Sequence, residues 1–428
     1  MPFRVRTFES SHARSVERLL ARRTRDQSAL VRRVAQIVDR VKRGGDAALI
    51  GYARRFDNLT LPIEVTADEM RAAARELPHD VQRAIEIAAA NIRTVARRQL
   101  PRPWTSQPSR GVHISQRVLP LDRVGCYVPA GRYPLPSSLL MAAVPARAAG
   151  VKDIVAVCPR PDATILHAAR VAGVSRLFRL GGAQAIAALA YGTETVPSVD
   201  KIVGPGNAFV AAAKALVSPD CAIDFYAGPS EIVVVSSTGR PAWIAADLIA
   251  QAEHDPDARA ILLTPSRRLA DAVARELRGQ MPAEGPASRA MHTNGGIVIT
   301  RSLDEAVDLC NRMAPEHVVC DTSSVAGRIT RAGTVFVGAS SAQALGDYAT
   351  GSNHVLPTNG AARARGGLSA ADFVRVTTLQ RLTRKGIERI GATAATLARA
   401  EGLLAHAASI EIRLAKPRRT KDRSRRPR

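Results

Sequence analysis

The chain has 428 residues, of which 46% are hydrophobic and 23% are charged, an ordinary composition for a soluble globular protein of about three domains. No stretch approaches the roughly 20 uninterrupted apolar residues of a membrane span, and the N-terminus lacks the apolar core of a signal peptide. The aromatic fraction of 4% argues against a stacking surface for single-stranded nucleic acid. The five cysteines are too dispersed for a disulfide framework or a Cys-based zinc site. We expect a cytoplasmic protein.

The formal net charge is +23, from 61 Lys and Arg against 38 Asp and Glu. Residues 416–428 (KPRRTKDRSRRPR) concentrate basic side chains at the C-terminus. Self-repulsion predicts that this tail is disordered and contacts phosphate polymers only nonspecifically. A dedicated nucleic-acid partner is therefore not expected, and the tail predicts nothing about activity.

Two patterns of secondary structure follow one another along the chain. Residues 1–120 predict helices, notably 14–42 and 67–98, with a break at the Gly-Gly-Asp of 44–46. From residue 123, short Val- and Ile-rich runs alternate with Ala-rich helical stretches, and the pattern repeats after Gly228. This alternation is typical of parallel sheets, so we expect two α/β blocks. Residues 371–413 return to a helical pattern and end in a strand-like IEIRL.

Glycine-rich segments follow several of the predicted strands: GGAQ at 181–184, GPGN at 204–207 and AGPSE at 227–231. Open α/β sheets bind ligands at the carboxyl ends of their strands, so a nucleotide site is a natural interpretation. Tight turns explain the glycines equally well, because GPGNAF lacks the third glycine of a dinucleotide fingerprint.

Four further segments carry side chains suited to chemistry. Gln251 and His254 lie three apart on a predicted helix and could ligate a metal, although a helix-end His beside a Gln is also common. The adjacent pair Glu316 and His317 precedes two valines and could transfer protons at the mouth of a strand, or be an ordinary solvated pair. The remaining candidates are Asp347 and His354, in a glycine-rich loop, and Glu401 and His406, near the end of the folded body.

Taken together, these segments resemble the histidinol dehydrogenase family, a family of NAD- and zinc-dependent enzymes. The resemblance spans about residues 25–414 and rests on eight segments in order: RVGCYVPAG, GGAQAIAALAYGTE, KIVGPGNAFV, AGPSE, DLIAQAEHDPDA, APEHVV, GDYATGSNHVLPT and AEGLLAH. Eight ordered segments are far more specific than any one of them.

The resemblance implies roles for particular side chains. One Zn²⁺ per subunit would be held by a set of four, Gln251, His254, Asp347 and His406. The pair Glu316 and His317 would be the catalytic acid–base residues. NAD⁺ would be contacted by Tyr127, Gln184 and Asn207. L-Histidinol would be bound by Ser230, Gln251, His254, His317, Asp347, His354, Glu401 and His406.

The resemblance also implies an α/β fold with two Rossmann-like parallel-sheet domains, a helical N-terminal segment and a small C-terminal segment. We expect a homodimer with shared active sites, in which the C-terminal segment reaches the partner's site. The expected divisions are an N-terminal helical arm (1–25), a larger discontinuous α/β domain (26–122 and 232–370), an NAD-side domain (123–231), a C-terminal dimer-exchange segment (371–415) and the basic disordered tail (416–428).

The reaction implied is a four-electron oxidation of L-histidinol through L-histidinaldehyde to L-histidine with two NAD⁺, in histidine biosynthesis.

Some positions depart from the family pattern: Ala130 in a Pro-Gly-Gly turn, 338–345 (GASSAQAL) before the Gly-Asp-Tyr, and 363–378. They leave open a paralogous zinc/NAD-dependent alcohol dehydrogenase acting on another amino alcohol or a hydroxysulfonate. The retained Glu401 favours histidinol. A basic nucleic-acid binder that has lost activity is a third alternative, which the intact acid–base pair and ligands argue against.

Overall fold

The structure is a computed structural model that describes residues 5–21, 27–129, 134–225 and 228–415. The chain divides into a large unit, from residues 1–100 and 121–373, and a small unit, from residues 101–120 and 374–428. The basic tail at 416–428 and Ala130 lie outside the described residues. Within the described ranges, no helix is both long and apolar enough to cross a membrane.

The strands of the described ranges are short, as is usual in α/β proteins. They are β1 (Thr7–Glu9), β2 (Glu64–Val65), β3 (Trp104–Ser109), β4 (Val112–Pro120), β5 (Arg123–Tyr127), β6 (Asp153–Val157), β7 (Arg176–Phe178), β8 (Lys201–Val203), β9 (Ala222–Ile223), β10 (Glu231–Val235), β11 (Arg259–Thr264), β12 (Gly296–Ile299), β13 (His317–Cys320), β14 (Thr334–Val337) and β15 (Val374–Leu382).

The helices of the described ranges mostly connect these strands. They are α1 (Ala13–Leu20), α2 (Ser28–Phe56), α3 (Ala67–Glu76), α4 (His79–Gln99), α5 (Pro136–Ala148), α6 (Ala163–Ala172), α7 (Gly182–Tyr191), α8 (Ala208–Val217), α9 (Pro241–Ala252), α10 (Arg267–Gln280), α11 (Pro286–Asn294), α12 (Leu303–Met313), α13 (Ser323–Ala326), α14 (Gln343–Tyr348), α15 (Arg384–Ala400) and α16 (Leu404–Leu414).

The large unit contains two six-stranded sheets. The first sheet has the order β1-β12-β11-β10-β13-β14 and is parallel throughout. The second has the order β2-β7-β6-β5-β8-β9 and is parallel except for β2, which runs antiparallel to β7. The predicted α/β class with parallel sheets is confirmed.

The continuous apolar runs predicted as strands are buried on both faces of their sheets. In β10, Ile232 and Val234 pack into one hydrophobic cluster, whereas Val233 and Val235 pack into the cluster on the opposite face. This alternation follows from the two-residue repeat of a strand. Helices cover both faces, so these strands contain no polar face of the kind seen in a half-exposed sheet.

The small unit is an antiparallel sheet of order β15-β4-β3 together with α15 and α16. The predicted helical character of residues 1–120 is therefore wrong for 104–120, which form β3 and β4. The strand-like stretch 410–414 is also helical, because it continues α16. Residues 371–415 thus supply the strand β15 as well as helices.

The structure groups the chain differently from the expected domains. Residues 1–25 include β1, which pairs with β12 as the edge strand of the first sheet, rather than forming only a helical arm. Helix α2 packs against the second sheet, because its apolar face, with Val34 and Val38, lies in one cluster with Phe178 of β7. The break predicted at 44–46 is a kink within α2 at Gly45, whose φ is 51°.

Candidate functional site

Most of the predicted site residues line one cavity of about 370 Å³, here called the inter-sheet cavity. Loops that follow β5, β8 and β9 of the second sheet form one side of it, and the beginnings of β10 and β13 of the first sheet form another. The sequence predicted a site at the carboxyl ends of the strands. In the structure, these ends supply only one side of the cavity. The predicted residues that line it are Asn207, Ser230, Gln251, His254, Glu316, His317, Asp347 and His354.

Glu316 and His317 are held by the main chain of a single residue, Glu231. The Glu231 N–H donates to Oε2 of Glu316 at 2.8 Å, and the Glu231 carbonyl oxygen lies 3.1 Å from Nδ1 of His317. The parallel pairing of β10 with β13, which places Ile232 opposite His317, creates this arrangement. Both side chains lie at the mouth of β13, where the sequence predicted them.

The imidazole of His317 is buried and has a defined tautomer. Because a carbonyl oxygen only accepts hydrogen bonds, Nδ1 carries the proton and donates it to Glu231, which leaves the lone pair of Nε2 as an acceptor. Burial lowers the pKa of His317 to about 4 from its ordinary 6.5, despite the opposing effect of nearby Asp347. At neutral pH the ring is therefore uncharged and able to accept a proton at Nε2.

The carboxyl group of Glu316 is also buried. Burial raises its pKa well above the ordinary value, and the hydrogen bonds from the Glu231 N–H and the Ser230 hydroxyl act in the opposite direction. Its Oε2 lies 3.6 Å from Nδ1 of His317. Burial therefore disfavours the ionised form of the Glu316 carboxyl group and the protonated form of the His317 imidazole.

Asp347 lies among three histidines. Its Oδ2 is 3.8 Å from Nε2 of His254, and its Oδ1 is 3.9 Å from Nε2 of His317 and 4.0 Å from Nδ1 of His354. The Nδ1 of His354 donates to the Asp347 main-chain oxygen at 2.9 Å, which leaves Nε2 as an acceptor. His254 lies in the turn after α9 and not on the helical face expected from its spacing to Gln251.

The side chain of Gln251 is an exception to the rule that buried polar atoms are paired. It is fully buried, and neither its amide oxygen nor its amide nitrogen has a hydrogen-bond partner among the described residues. A buried unpaired amide costs free energy, which a bound ligand would recover. Among the described residues, no group of three or more His, Cys, Asp and Glu side chains is arranged to hold a metal. An N and O donor set that includes the Gln251 amide nevertheless fits zinc chemically.

Glu401 and His406 belong to the small unit. Glu401 directly follows α15, His406 lies on α16, and both are exposed. Neither lines the inter-sheet cavity. The cavity lining therefore includes three of the four predicted metal ligands, Gln251, His254 and Asp347, but not His406.

The three predicted cofactor residues, Tyr127, Gln184 and Asn207, line a second cavity of about 430 Å³, here called the α7 cavity. Asn207 lines both cavities, as does Pro129. The side chain of Asn207 accepts hydrogen bonds from the main-chain N–H groups of residues 209 and 210 and so caps α8.

The N-terminus of α7 is similarly engaged by side chains. The carboxylate of Asp57 accepts from the Gly181 N–H and from Nε2 of Gln184, each at 3.0 Å, and the Tyr127 hydroxyl accepts from the Gly182 N–H at 3.1 Å. Desolvation raises the pKa of Asp57. Side chains therefore already occupy the Gly182 N–H of α7 and the N–H groups of Phe209 and Val210 in α8.

Several residues that shape the site were not predicted from the sequence. Glu231 forms a buried ion pair with Arg259, with Oε1 and Nη1 3.1 Å apart. Lys214 and Asp224 form a second buried ion pair beside Gly204, whose N–H donates to Asp224 and whose carbonyl accepts from Lys214. A glutamate opening the otherwise apolar EIVVV run was the available signal for the first pair. No sequence signal indicated the second.

Glycine is required where α14 approaches the first sheet. A Cβ at Gly346 would lie 2.5 Å from the ring of Phe336 in β14. That ring in turn lies 6.1 Å from the imidazole of His317, centroid to centroid. The absence of a side chain at Gly346 therefore lets the next residue, Asp347, come close to His317.

Comparison with known proteins agrees with the sequence resemblance. The family model for histidinol dehydrogenase matches residues 20–414. The histidinol dehydrogenase of Methylococcus capsulatus is 43% identical over 427 residues, covering 96% of this chain and 98% of that protein. The histidinol dehydrogenase of Geobacillus kaustophilus is 47% identical over 398 residues, covering 90% and 94%.

A solved structure gives the same result for the fold. The crystal structure of histidinol dehydrogenase from Elizabethkingia anophelis matches with a TM-score of 0.91 at 34% identity, covering 97% of this chain and 99% of that one. Sequence and fold thus agree over nearly the whole length. The chain belongs to the histidinol dehydrogenase family.

Proposed function

We propose that this protein oxidises L-histidinol through L-histidinaldehyde to L-histidine, reducing two NAD⁺, as a step of histidine biosynthesis in the cytoplasm. The observation that carries the proposal is the neutral, buried His317, which opens onto the same cavity as Glu316 and the candidate metal ligands. Family membership supplies the reaction class, and these residues are able to perform its proton transfers.

Zinc would be held by the Gln251 amide, His254 and Asp347, with His406 as a fourth ligand. The amide of Gln251 supports this assignment because it has no hydrogen-bond partner within the described ranges. Bound zinc would hold the substrate's imidazole and amine and so position and polarise the substrate. Ser230, His354 and Glu401 would complete the substrate site, with Glu401 contacting the amine of histidinol.

NAD⁺ would bind in the α7 cavity, with Tyr127, Gln184 and Asn207 as contacts. Because this cavity meets the inter-sheet cavity at Asn207 and Pro129, a dinucleotide there can extend toward the substrate. Bound NAD⁺ would take a hydride from the substrate carbon in each oxidation. Arg33 and Arg160, which line the α7 cavity, supply positive charge for the phosphates of NAD⁺.

His317 is the base for both oxidations. In the first, its Nε2 accepts the hydroxyl proton of histidinol as the hydride leaves the same carbon, which yields the aldehyde. In the second, it accepts a hydroxyl proton from the hydrated aldehyde as the second hydride leaves, which yields the acid. The Nδ1–H bond to Glu231 keeps Nε2 available for this proton and stabilises the imidazolium that forms.

Glu316 acts between the two oxidations. Its carboxylate removes a proton from water while the water oxygen bonds to the aldehyde carbon, and the carbonyl oxygen takes the proton that His317 had accepted, which gives the hydrate and returns His317 to its neutral form. Burial opposes ionisation of this carboxyl group, so the ionised form depends on the donors at Glu231 and Ser230. Those two donors are positioned to stabilise the carboxylate in the reactive state.

We also propose a homodimer in which Glu401 and His406 serve the active site of the partner subunit. Both residues are exposed in the single chain and lie on the small unit, so they are free to contact another molecule. This arrangement would complete the zinc ligands and the substrate site only in the dimer.

The deciding experiment counts NADH formed per L-histidinol consumed, with zinc present and His317→Ala as the inactive control. Two NADH with L-histidine as product are expected. One NADH would mean that oxidation stops at the aldehyde and would contradict the role of Glu316. No NADH from folded, zinc-loaded protein would overturn the proposal in favour of another amino alcohol or a hydroxysulfonate as substrate.

A further inference from the structure

Gln343 makes a short hydrogen bond to a candidate metal ligand. Both residues lie on α14, four positions apart, and Nε2 of Gln343 is 2.6 Å from Oδ2 of Asp347. The side chain of Gln343 is buried, and its Oε1 has no hydrogen-bond partner in the part of the chain that the structure describes. Because a carboxylate oxygen repels an amide oxygen, the nitrogen must be the atom that faces Asp347.

No other donor reaches the Asp347 carboxylate at hydrogen-bond distance from the described part of the chain. The nitrogen atoms of His254, His317 and His354 lie 3.8 to 4.0 Å from its oxygens. The Gln343 amide therefore decides the orientation of a carboxylate that lies among three imidazoles. Being uncharged, it does so without adding a second negative charge to the buried site.

We propose that Gln343 is a positioning residue for metal binding: its amide orients Asp347 so that the carboxylate is arranged to accept zinc before the ion arrives. The inference rests on the proposed zinc site and extends it to a residue that does not touch the metal. Partners that orient a metal ligand in this way contribute about 10- to 100-fold to metal affinity. Gln343 lies in the stretch 338–345 that departs from the family pattern.

The test is zinc affinity of the full-length protein, measured by competition with a chromophoric chelator. Gln343→Met keeps the length of the side chain and removes the donor, and is expected to weaken zinc binding about 10- to 100-fold. Gln280→Met is the matched control, because Nε2 of Gln280 also donates to a carboxylate four residues away, Glu276, at 2.9 Å, but on the exposed face of α10. The control is expected to bind zinc as the wild type does.

Two further measurements separate positioning from a general loss of structure. The thermal unfolding midpoint of the metal-free Gln343→Met protein should change little, because removal of the unpaired Oε1 offsets the loss of the hydrogen bond to Asp347. In an Asp347→Ala background, Gln343→Met should change zinc affinity no further, since the residue it positions is gone. Gln343→Asn, one methylene shorter, replaces Gln343→Met if the latter does not fold and should also weaken binding.

The outcomes distinguish this inference from the proposed function. If the wild type binds zinc and Gln343→Met binds it within twofold as tightly, the positioning role is refuted while the zinc site stands. An equal effect of Gln343→Met with and without Asp347 would also refute it. If the wild type binds no zinc, the proposed function fails and the positioning role fails with it.

Discussion

The main-chain carbonyl oxygen of Glu231 lies 3.1 Å from Nδ1 of His317 and determines which imidazole nitrogen can act as a base. The N–H of the same residue donates to Glu316. One residue at the start of β10 thus positions both members of the proposed acid–base pair. Its own side chain is anchored by Arg259 and by the main-chain N–H of Asn359, so the anchoring extends to β11 and to the loop after α14.

The burial of neutral His317 predicts a pH-dependent stability. The folded protein resists protonating the ring until its pKa of about 4, whereas the unfolded chain takes up the proton near 6.5. The stability contributed by neutral His317 is therefore present at pH 7 and is lost as the pH falls from about 6.5 to about 4. Relative to His317→Gln, the metal-free wild type should lose on the order of 3 kcal/mol over this range. Urea unfolding at several pH values measures this, and parallel curves for the two proteins would contradict it.

The buried ion pair of Glu231 and Arg259 predicts a large effect of Glu231→Gln. The substitution leaves the buried Arg259 charge without its counter-charge, which typically costs about 3 to 5 kcal/mol in the free energy of unfolding. Glu388→Gln is the control, because its exposed pair with Arg384 should be worth less than about 1 kcal/mol. Chemical denaturation compares them, and equal costs would show that burial of the first pair has no energetic consequence.

The unpaired amide of Gln251 predicts opposite effects on stability and zinc binding. Gln251→Leu removes two unsatisfied polar atoms from a fully buried site at similar volume, so the metal-free protein should gain about 1 to 3 kcal/mol. The same variant should bind zinc more weakly than the wild type. Unfolding of metal-free protein and chelator competition give the two values. A less stable metal-free variant would argue that the amide already has a partner.

Glu316→Gln should affect the second oxidation more than the first. Activation of water needs the carboxylate, and loss of a general base typically costs about 10²- to 10⁴-fold in rate. NADH formation from L-histidinaldehyde should therefore fall by that factor, while a single turnover of histidinol to aldehyde should fall much less. Glu305→Gln, at the start of α12 and outside the lining of both cavities, is the control. Equal losses in both steps would refute the division of labour between Glu316 and His317.

A shared active site predicts recovery of activity in mixed dimers. His317→Ala and His406→Ala should each be inactive alone, because one lacks the base and the other lacks a ligand for its partner's site. Random exchange gives half heterodimers with one intact site each, so about a quarter of the wild-type activity should return. Native mass spectrometry verifies the exchange. No recovery after verified exchange would favour a site completed within one chain.

Much of the large unit was predictable because its strands are continuous apolar runs. Buried strands such as EIVVV and DIVAV admit few other interpretations when Ala-rich helices separate them. Because the strand that follows them was equally clear, the sequence also predicted that Glu316 and His317 lie at the start of a strand. The small unit was not predictable in this way, because β3 and most of β15 are exposed and lack an apolar periodicity. Residues 410–414 alternate like a strand yet continue a helix, because so short a pattern fits both periods.

By itself, the sequence determined the α/β class, the family and the residues available for chemistry, because buried strands, ordered motifs and residue types are local properties. Only the tertiary structure decided that Glu231 holds the proposed acid–base pair, that Gln251 has no partner among the described residues and that α2 packs against the second sheet. These relationships join residues far apart in the chain, such as Glu231 and His317, which meet because β10 pairs with β13. Backbone pairing and the burial of apolar faces set such contacts, and neither is encoded by spacing along the sequence.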